Sequence, residues 1–151
     1  MRLQSLLELR EVTSGRVPSS MKRLVLMVNS AGYEAAWQCA SWGVTAAAMG
    51  EEVTFVFAFE ALRSLAAGTF GVPLNEREQI EAERGAAVGA ALPAQMLAAA
   101  RELGARVLAC DTTVKLCGLD RAELERRGVL DEVQGLPQIW RHASDARLLS
   151  V

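Results

Sequence analysis

The sequence predicts an α/β fold: a three-layer α/β/α domain around a mostly parallel sheet of about five strands. Short, continuous apolar runs such as those in 22–28 and 51–57 are typical of strands buried on both faces. A helical segment follows each run and ends at a glycine, Gly50 and then Gly68. This alternation of strand and helix requires right-handed crossovers, which make neighbouring strands parallel.

The remaining elements continue this rhythm to residue 151. Apolar runs rich in β-formers predict strands at 22–28, 51–57, 106–110, 129–133 and 146–151. Helical periodicity predicts helices at 34–49, 60–67, 75–84, 94–102 and 136–144, a capped helix at 120–127, and a short helix between Cys110 and Gly118. The helix at 34–49 has almost no polar face, so we expect the sheet to cover one side and another subunit the other.

Two segments interrupt the pattern. Residues 1–20 contain a short amphipathic stretch and then a stretch rich in helix breakers, which predicts an N-terminal arm outside a single domain at 21–151. Residues 69–92 combine a loop, a charged helical segment and a run of small residues. A connection of this length is typical of a lid or binding loop, but a solvated insertion without a chemical role explains it equally well.

Composition excludes several classes of function. The net charge is −2 and the basic residues form no cluster, which argues against nucleic-acid binding. No apolar run approaches the roughly 20 residues of a membrane span. Three cysteines without an export signal predict a cytoplasmic protein. Apolar residues reach 51% although aromatics make up only 5%, a surplus that indicates either subunit contacts or a tightly packed core.

The stretch 106–118 carries the clearest chemical pattern. It predicts a buried strand that ends at Cys110 and runs directly into a short helix, which Asp111 or Thr112 can cap. A thiol at this junction lies near unpaired backbone N–H groups, which stabilise an anion, and at the sheet edge where α/β proteins bind ligands. We therefore predict that Cys110 acts as a thiolate nucleophile. The alternative is a small buried side chain that only packs.

Neighbouring residues extend this candidate site. Asp111 places a negative charge beside the thiol, and Lys115, one helical turn later, can offset it. A disulfide between Cys110 and Cys117 is not expected, because seven helical residues span about 10 Å and bridged Cα atoms lie about 4.4–6.8 Å apart. The candidate supporting residues are Asp111, Thr112, Thr113, Lys115, Cys117 and Asn29.

Other cofactor sites lack their usual patterns. His142 is the only histidine, and no pair of cysteines has the CxxC spacing, so we predict no metal site and place His142 on the surface. The turn 29–32 follows the first strand but contains neither phosphate-binding glycine motif, which leaves nucleotide binding as a third alternative. Cys39 lies within an apolar helix and is expected in the core. We predict no cofactor.

Three stretches carry a family pattern: 40–50 with 53–59, then 100–119, then Gly128-Val129 followed by 144–151. In this order they resemble the DsrE/DsrF-like family, in particular its DsrE-type proteins sometimes labelled peroxiredoxin-like. The resemblance covers residues 22–151. The chain departs from that pattern at Cys117, where methionine is common and a second thiol is left open, and in 69–92, which lacks the methionine-rich character often seen there and therefore gives no support for a partner contact carried by the loop.

The resemblance implies a DsrEFH-like fold of flavodoxin-like appearance, assembly into homotrimers or homohexamers, and sulfur handling. In this family pattern a strand-end cysteine, here Cys110, carries sulfane sulfur as a persulfide and exchanges it with a donor or acceptor protein. The chain would then be a sulfur carrier or sulfurtransferase. The alternative is a non-catalytic oligomeric module of the same fold that binds a small ligand or peptide.

Overall fold

Five parallel strands form a single sheet in the computed structural model, which describes residues 21–151. The strands are β1 Arg23–Val28, β2 Glu52–Phe57, β3 Arg106–Cys110, β4 Glu132–Gln134 and β5 Arg147–Ser150. The helices of these residues are α1 Tyr33–Ala48, α2 Phe59–Ala67, α3 Glu76–Ala87, α4 Pro93–Glu102, α5 Asp111–Leu116, α6 Arg121–Arg126 and α7 Leu136–Ala143. The predicted three-layer α/β/α class is confirmed, with a sheet that is parallel throughout. The arm predicted at 1–20 lies outside the described residues.

The strand order β4-β3-β2-β1-β5 decides which helices lie on which face of the sheet. From β1 to β4 the chain moves in one direction across the sheet, and it then returns to the far side of β1 as β5. Crossovers between parallel strands are right-handed, so a reversal of direction moves the connecting helix to the opposite face. Helices α1, α2, α4, α5 and α6 accordingly pack on one face, and α7 packs on the other.

The side chains of each strand alternate between these two faces. On one face, Leu26, Phe55 and Val107 join the main core beneath α1 and α4. On the other face a smaller group, here named the α7-side cluster, consists of five buried residues: Val25, Val56, Leu108, Cys110 and Ile139. Successive residues within each strand thus belong to two separate cores, one on each face of the sheet.

The main core is tight where α1 crosses β2. Gly43 lies against the ring of Phe55, and a Cβ atom at this position would be 2.1 Å from the ring. Helix α1 is covered by the sheet and by α4, while Trp42 and Met49 on its remaining side are exposed. The second cover expected from another subunit is therefore supplied, over much of the helix, by α4.

The fourth strand, predicted at 129–133, begins three residues later and ends one residue later, as Glu132–Gln134. Leu130 is almost fully buried in the main core before the strand begins. Only from Asp131, whose amide donates to the carbonyl of Val107 at 2.8 Å, does the chain run beside β3. The apolar pair at 129–130 therefore reflects a buried loop that packs on the core.

Candidate active site at Cys110

Cys110 is the last residue of β3 and comes immediately before α5. Strand alternation turns its side chain to the same side as Leu108, into the α7-side cluster. The residue is 9% exposed, and its thiol is free. Cys110 thus lies at the end of the strand, as predicted. Its thiol faces an apolar layer, and little solvent reaches it.

The helix that follows begins without a side-chain cap, so the predicted capping role of Asp111 or Thr112 is wrong. Cys110 itself holds the N-cap position with extended backbone, and Asp111 is already the first helical residue. The chain passes from strand to helix with no residue between them, which leaves no place for another cap. The hydroxyl of Thr113 donates to the carbonyl of Cys110 at 2.9 Å, a bond that provides no acceptor for the amides of the first helical turn.

The charges next to the thiol balance each other. Lys115 Nζ lies 2.7 Å from Asp111 Oδ2, the (i, i+4) pair that the sequence suggested. The ammonium group is largely exposed, and Thr112 is exposed as well. The pair reduces the negative potential that Asp111 alone would impose on a thiolate at Cys110.

Cys117 lies on the other side of the sheet from Cys110. Its Sγ atom is 3.8 Å from the carbonyl oxygen of Phe59, and its side chain packs against the main core. All three cysteines of the described chain are free. Cys39 is buried in α1, where burial raises the pKa of its thiol to about 12. Cys110 therefore has no second thiol beside it in the α7-side cluster.

Asn29 serves a different part of the sheet edge. Its Nδ2 donates to Ser150 Oγ at 3.3 Å, and its backbone amide donates to the carbonyl of Val151 at 2.8 Å. These bonds join the ends of β1 and β5, and β2 separates β1 from the strand that carries Cys110. The reversal of strand order between β1 and β5 is where open α/β sheets usually bind ligands, so that crevice and Cys110 are two different places.

The amino end of α1, where a phosphate would bind after the first strand, holds a carboxylate of the same chain. Glu78 Oε2 accepts from the amide of Leu74 at 2.7 Å and from the amide of Tyr33 at 3.1 Å. The hydrogen bond from the amide of Leu74, together with the one from Tyr33, lowers the pKa of Glu78, although burial acts in the opposite direction. Gly32 leaves space for this carboxylate, since a Cβ there would lie 2.7 Å from Glu78 Oε1. This occupied position disfavours nucleotide binding.

His142 is half-buried beneath α7, so the prediction of a surface histidine is wrong. Its Nε2 lies 3.0 Å from Thr54 Oγ1, and its Nδ1 lies 3.1 Å from Arg23 Nη2. Because a guanidinium can only donate, Nδ1 must accept the hydrogen bond from Arg23. The ring proton is therefore on Nε2, which donates a hydrogen bond to the hydroxyl oxygen of Thr54. Burial, reinforced by the nearby Arg23, lowers the pKa of His142. Nothing local in the sequence reveals this contact, because it depends on the crossover from β4 to β5.

Two further residues near the site escaped sequence reasoning. Ile139 of α7 packs directly in the cluster that contains Cys110 and is 3% exposed. Phe59, just after β2, has a φ of 47°, a left-handed conformation that costs a non-glycine residue about 1–2 kcal/mol. Such backbone strain often marks functional loops. An apolar residue at a helix start gives no sequence pattern from which its φ could be predicted.

The described residues contain no metal-ligand cluster and no helix that could cross a membrane, and the comparisons with known proteins identify no family. Within residues 21–151, no three His, Cys, Asp or Glu side chains are grouped as metal ligands would be. In the same residues, every helix is too short or too polar to cross a membrane. No protein-family model matches the chain. A comparison with curated proteins likewise finds no match.

Proposed function

We propose that the protein is a DsrE-like sulfur carrier that holds sulfane sulfur on Cys110 and exchanges it with a thiol of a partner protein. The observation that carries the proposal is the free strand-end thiol with no second cysteine in its cluster. This arrangement suits chemistry on one sulfur atom, since a disulfide needs a second thiol within reach. The resemblance of residues 22–151 to the DsrE/DsrF-like family supports the same assignment.

The proposed transfer is balanced without an external oxidant. The Cys110 thiolate attacks the outer sulfur of a donor persulfide, R–S–SH, and the donor S–S bond breaks as the new one forms. The donor leaves as its thiolate, and the product is Cys110–S–SH. An acceptor thiolate then repeats the attack on the outer sulfur, which regenerates the Cys110 thiolate.

The surroundings of Cys110 fit a stored persulfide. Val56, Leu108 and Ile139 form an apolar wall that limits access of water and of other thiols to the bound sulfur. Asp111 and Lys115 lie at the rim as a neutral pair and place no unbalanced charge beside it. These surroundings of Cys110 thus favour retention of the bound sulfur until a partner protein arrives.

Self-association and a cytoplasmic location belong to the same proposal. A groove of about 630 Å³ lies between α1 and the edge strand β5, and Trp42, Met49 and Leu149 contribute exposed apolar surface to it. All four residues of β5 are exposed, and an uncovered edge strand invites contact with another chain. We propose that this side of the molecule forms the homo-oligomer interface.

The same groove supports the second candidate, a binding module for a small ligand or peptide. Trp37 and Trp42 line it, whereas Trp140 lies on α7. Aromatic walls around an apolar groove are typical of ligand sites. A ligand in the groove would change the fluorescence of Trp37 and Trp42, and the response would be absent in Trp37→Phe/Trp42→Phe, which keeps only Trp140.

Intact-mass measurement after treatment with an inorganic polysulfide tests the carrier function. We expect Cys117→Ser to gain one sulfur atom that a small thiol removes, and the double variant Cys110→Ser/Cys117→Ser to gain none. A one-sulfur gain of equal size in the double variant would contradict the proposal. Circular dichroism of both variants and the wild type controls for loss of fold.

A further inference from the structure

Helix α7 is the only helix that packs on the side of the sheet where Cys110 lies, within the described chain. Its hold on the sheet is small. Ile139 is its one buried residue, while Leu136 and Trp140 are 55% and 68% exposed. Helix α1, on the opposite face, buries ten residues. Ile139, with the partly buried Ala143 beside the same cluster, is therefore the apolar cover that α7 provides for a thiol that the proposed chemistry must expose.

His142 supplies the polar part of that hold. It lies near the carboxyl end of α7, three residues after Ile139, and reaches both Arg23 of β1 and Thr54 of β2. Thr54 is itself buried, so its hydroxyl depends on this partner. His142 thus attaches α7 to β2, which lies beside the strand that ends in Cys110, and to β1, which lies on the far side of β2.

We infer that α7 is a gate over the Cys110 thiol and that His142 is the residue that anchors it in the closed position. The closed gate is the arrangement in the structure, with Ile139 packed in the cluster of Cys110. Opening requires that Ile139 leave this cluster and that His142 release Arg23 and Thr54. The main core, on the other face of the sheet, keeps its packing during this movement.

The anchor also makes the gate sensitive to pH. The charged groups around His142 are Arg23 on β1, Glu52 on β2 and Arg106 on β3. Protonation of Nδ1 removes the acceptor that Arg23 uses and places a positive charge 3.1 Å from its guanidinium. Glu52, whose Oε1 lies 3.7 Å from Nε2, offsets only part of this repulsion.

The direction of the pH effect on the gate follows from the sign of the pKa shift of His142. Burial and Arg23 lower the pKa of His142 in the folded protein, whereas the unfolded chain has the ordinary value of about 6.5. A depressed folded pKa contributes stability above the unfolded value and loses it as the pH falls. Acidification therefore opens the gate, and neutral pH keeps it closed.

The inference rests on the proposed sulfur chemistry for its biological meaning, but thiol access can be measured without any persulfide. The experiment uses Cys117→Ser as the parent, so that Cys110 is the reactive thiol and Cys39 stays buried. Iodoacetamide labelling rates are compared for this parent, for the parent with His142→Ala, and for the parent with Arg141→Gln. Arg141 is the exposed neighbour on α7 and serves as the matched control.

At about pH 8 we expect His142→Ala to label roughly tenfold faster than the parent, the effect of one lost charge-assisted hydrogen bond. Arg141→Gln should label at the parental rate. The ratio of variant to parent should fall toward one as the pH is lowered to about 5, because protonation then releases the parental anchor too. Using the ratio cancels the pH dependence of thiolate formation.

Hydrogen exchange of the parent alone provides a second measurement that needs no anchor variant. Amides of 136–143 should lose protection on acidification, while those of α1 and α4 keep theirs. Equal labelling of His142→Ala and Arg141→Gln would overturn the inference, as would simultaneous loss of protection in α1, α4 and α7. A failure of persulfide formation with this gating intact would instead contradict only the sulfur-carrier proposal.

Discussion

The carboxylate of Glu78 accepts a hydrogen bond from the amide of Tyr33, and so caps the first helix of the domain from the middle of the 69–92 connection. Glu78 is the one buried residue of α3, which is otherwise exposed or half-buried. The buried carboxylate of Glu78 and the exposed ion pair between Arg77 and Glu34 thus hold α3 against α1. The 69–92 connection therefore contains an ordered helix that is attached to the domain.

Replacement of Glu78 by Gln should destabilise the protein. The neutral amide accepts more weakly from the amides of Leu74 and Tyr33, and its NH₂ group has no acceptor there. We expect a loss of about 1–3 kcal/mol in the free energy of unfolding at pH 7, measured by urea denaturation. Glu76→Gln, exposed on the same helix, is the control and should change stability by less than about 0.5 kcal/mol.

The Glu78 contribution should depend on pH in a defined direction. The pKa of Glu78 is lowered in the folded protein, while the unfolded chain has a value of about 4.3. The stabilisation is therefore present above about pH 4.3 and is lost as the pH falls through the folded value. The stability difference between the wild type and Glu78→Gln should shrink below pH 4. A difference that stayed constant down to pH 2 would contradict the capping role.

The three cysteines should react with iodoacetamide in a fixed order. Cys117 is half-buried, Cys110 is 9% exposed, and Cys39 is fully buried with a pKa of about 12. We expect Cys117 to be labelled first, Cys110 more slowly, and Cys39 only after unfolding, as followed by peptide mass spectrometry at pH 8. In denaturant the three rates should converge. Labelling of Cys39 in the native protein would show that α1 opens.

The contact between α1 and β2 leaves no room for a methyl group. Gly43→Ala should lower the free energy of unfolding by about 1–3 kcal/mol, because the new Cβ overlaps the ring of Phe55. Phe55→Leu, added to Gly43→Ala, should recover part of that loss, and a double-mutant cycle measures the coupling. Additive effects of the two substitutions would contradict the predicted overlap.

The proposed oligomer interface predicts a selective effect of charge. Sedimentation of the wild type should give an assembly heavier than the 16.3 kDa chain. Trp42→Arg, in the groove beside β5, should reduce it to a monomer, while Leu116→Arg on α5 should leave it assembled. Leu116 is the matched control because it is also an exposed apolar residue, at 65%. A wild-type monomer at micromolar concentration would contradict the interface.

The sequence predicted what depends on neighbouring residues. The strand ending at Cys110 has the predicted bounds, and Asp120 caps α6 as expected by accepting from the amide of Glu123. The glycines after the helices, such as Gly68 with a φ of 72°, also take the expected left-handed conformation. Each of these features arises from the preferences of a few consecutive residues.

Features that depend on contacts between residues far apart in the sequence could not be predicted from local patterns. The burial of His142 requires that α7 cross β1 and β2, which follows from the strand order and not from the residues around position 142. The same is true of Ile139 beside Cys110. The failed cap at Asp111 is different, because the sequence predicted that the strand runs directly into the helix but not that Cys110 itself takes the N-cap position.

Because the chain returns only once across the sheet, different parts of the sequence determine folding and access to Cys110. Five helices and the strands beneath them determine whether the domain folds, whereas one eight-residue crossover helix determines what can reach Cys110. Substitutions along that crossover can therefore change how fast the thiol reacts while leaving the larger core intact. Reactivity in this fold can vary between related chains, or be engineered, at little risk to folding.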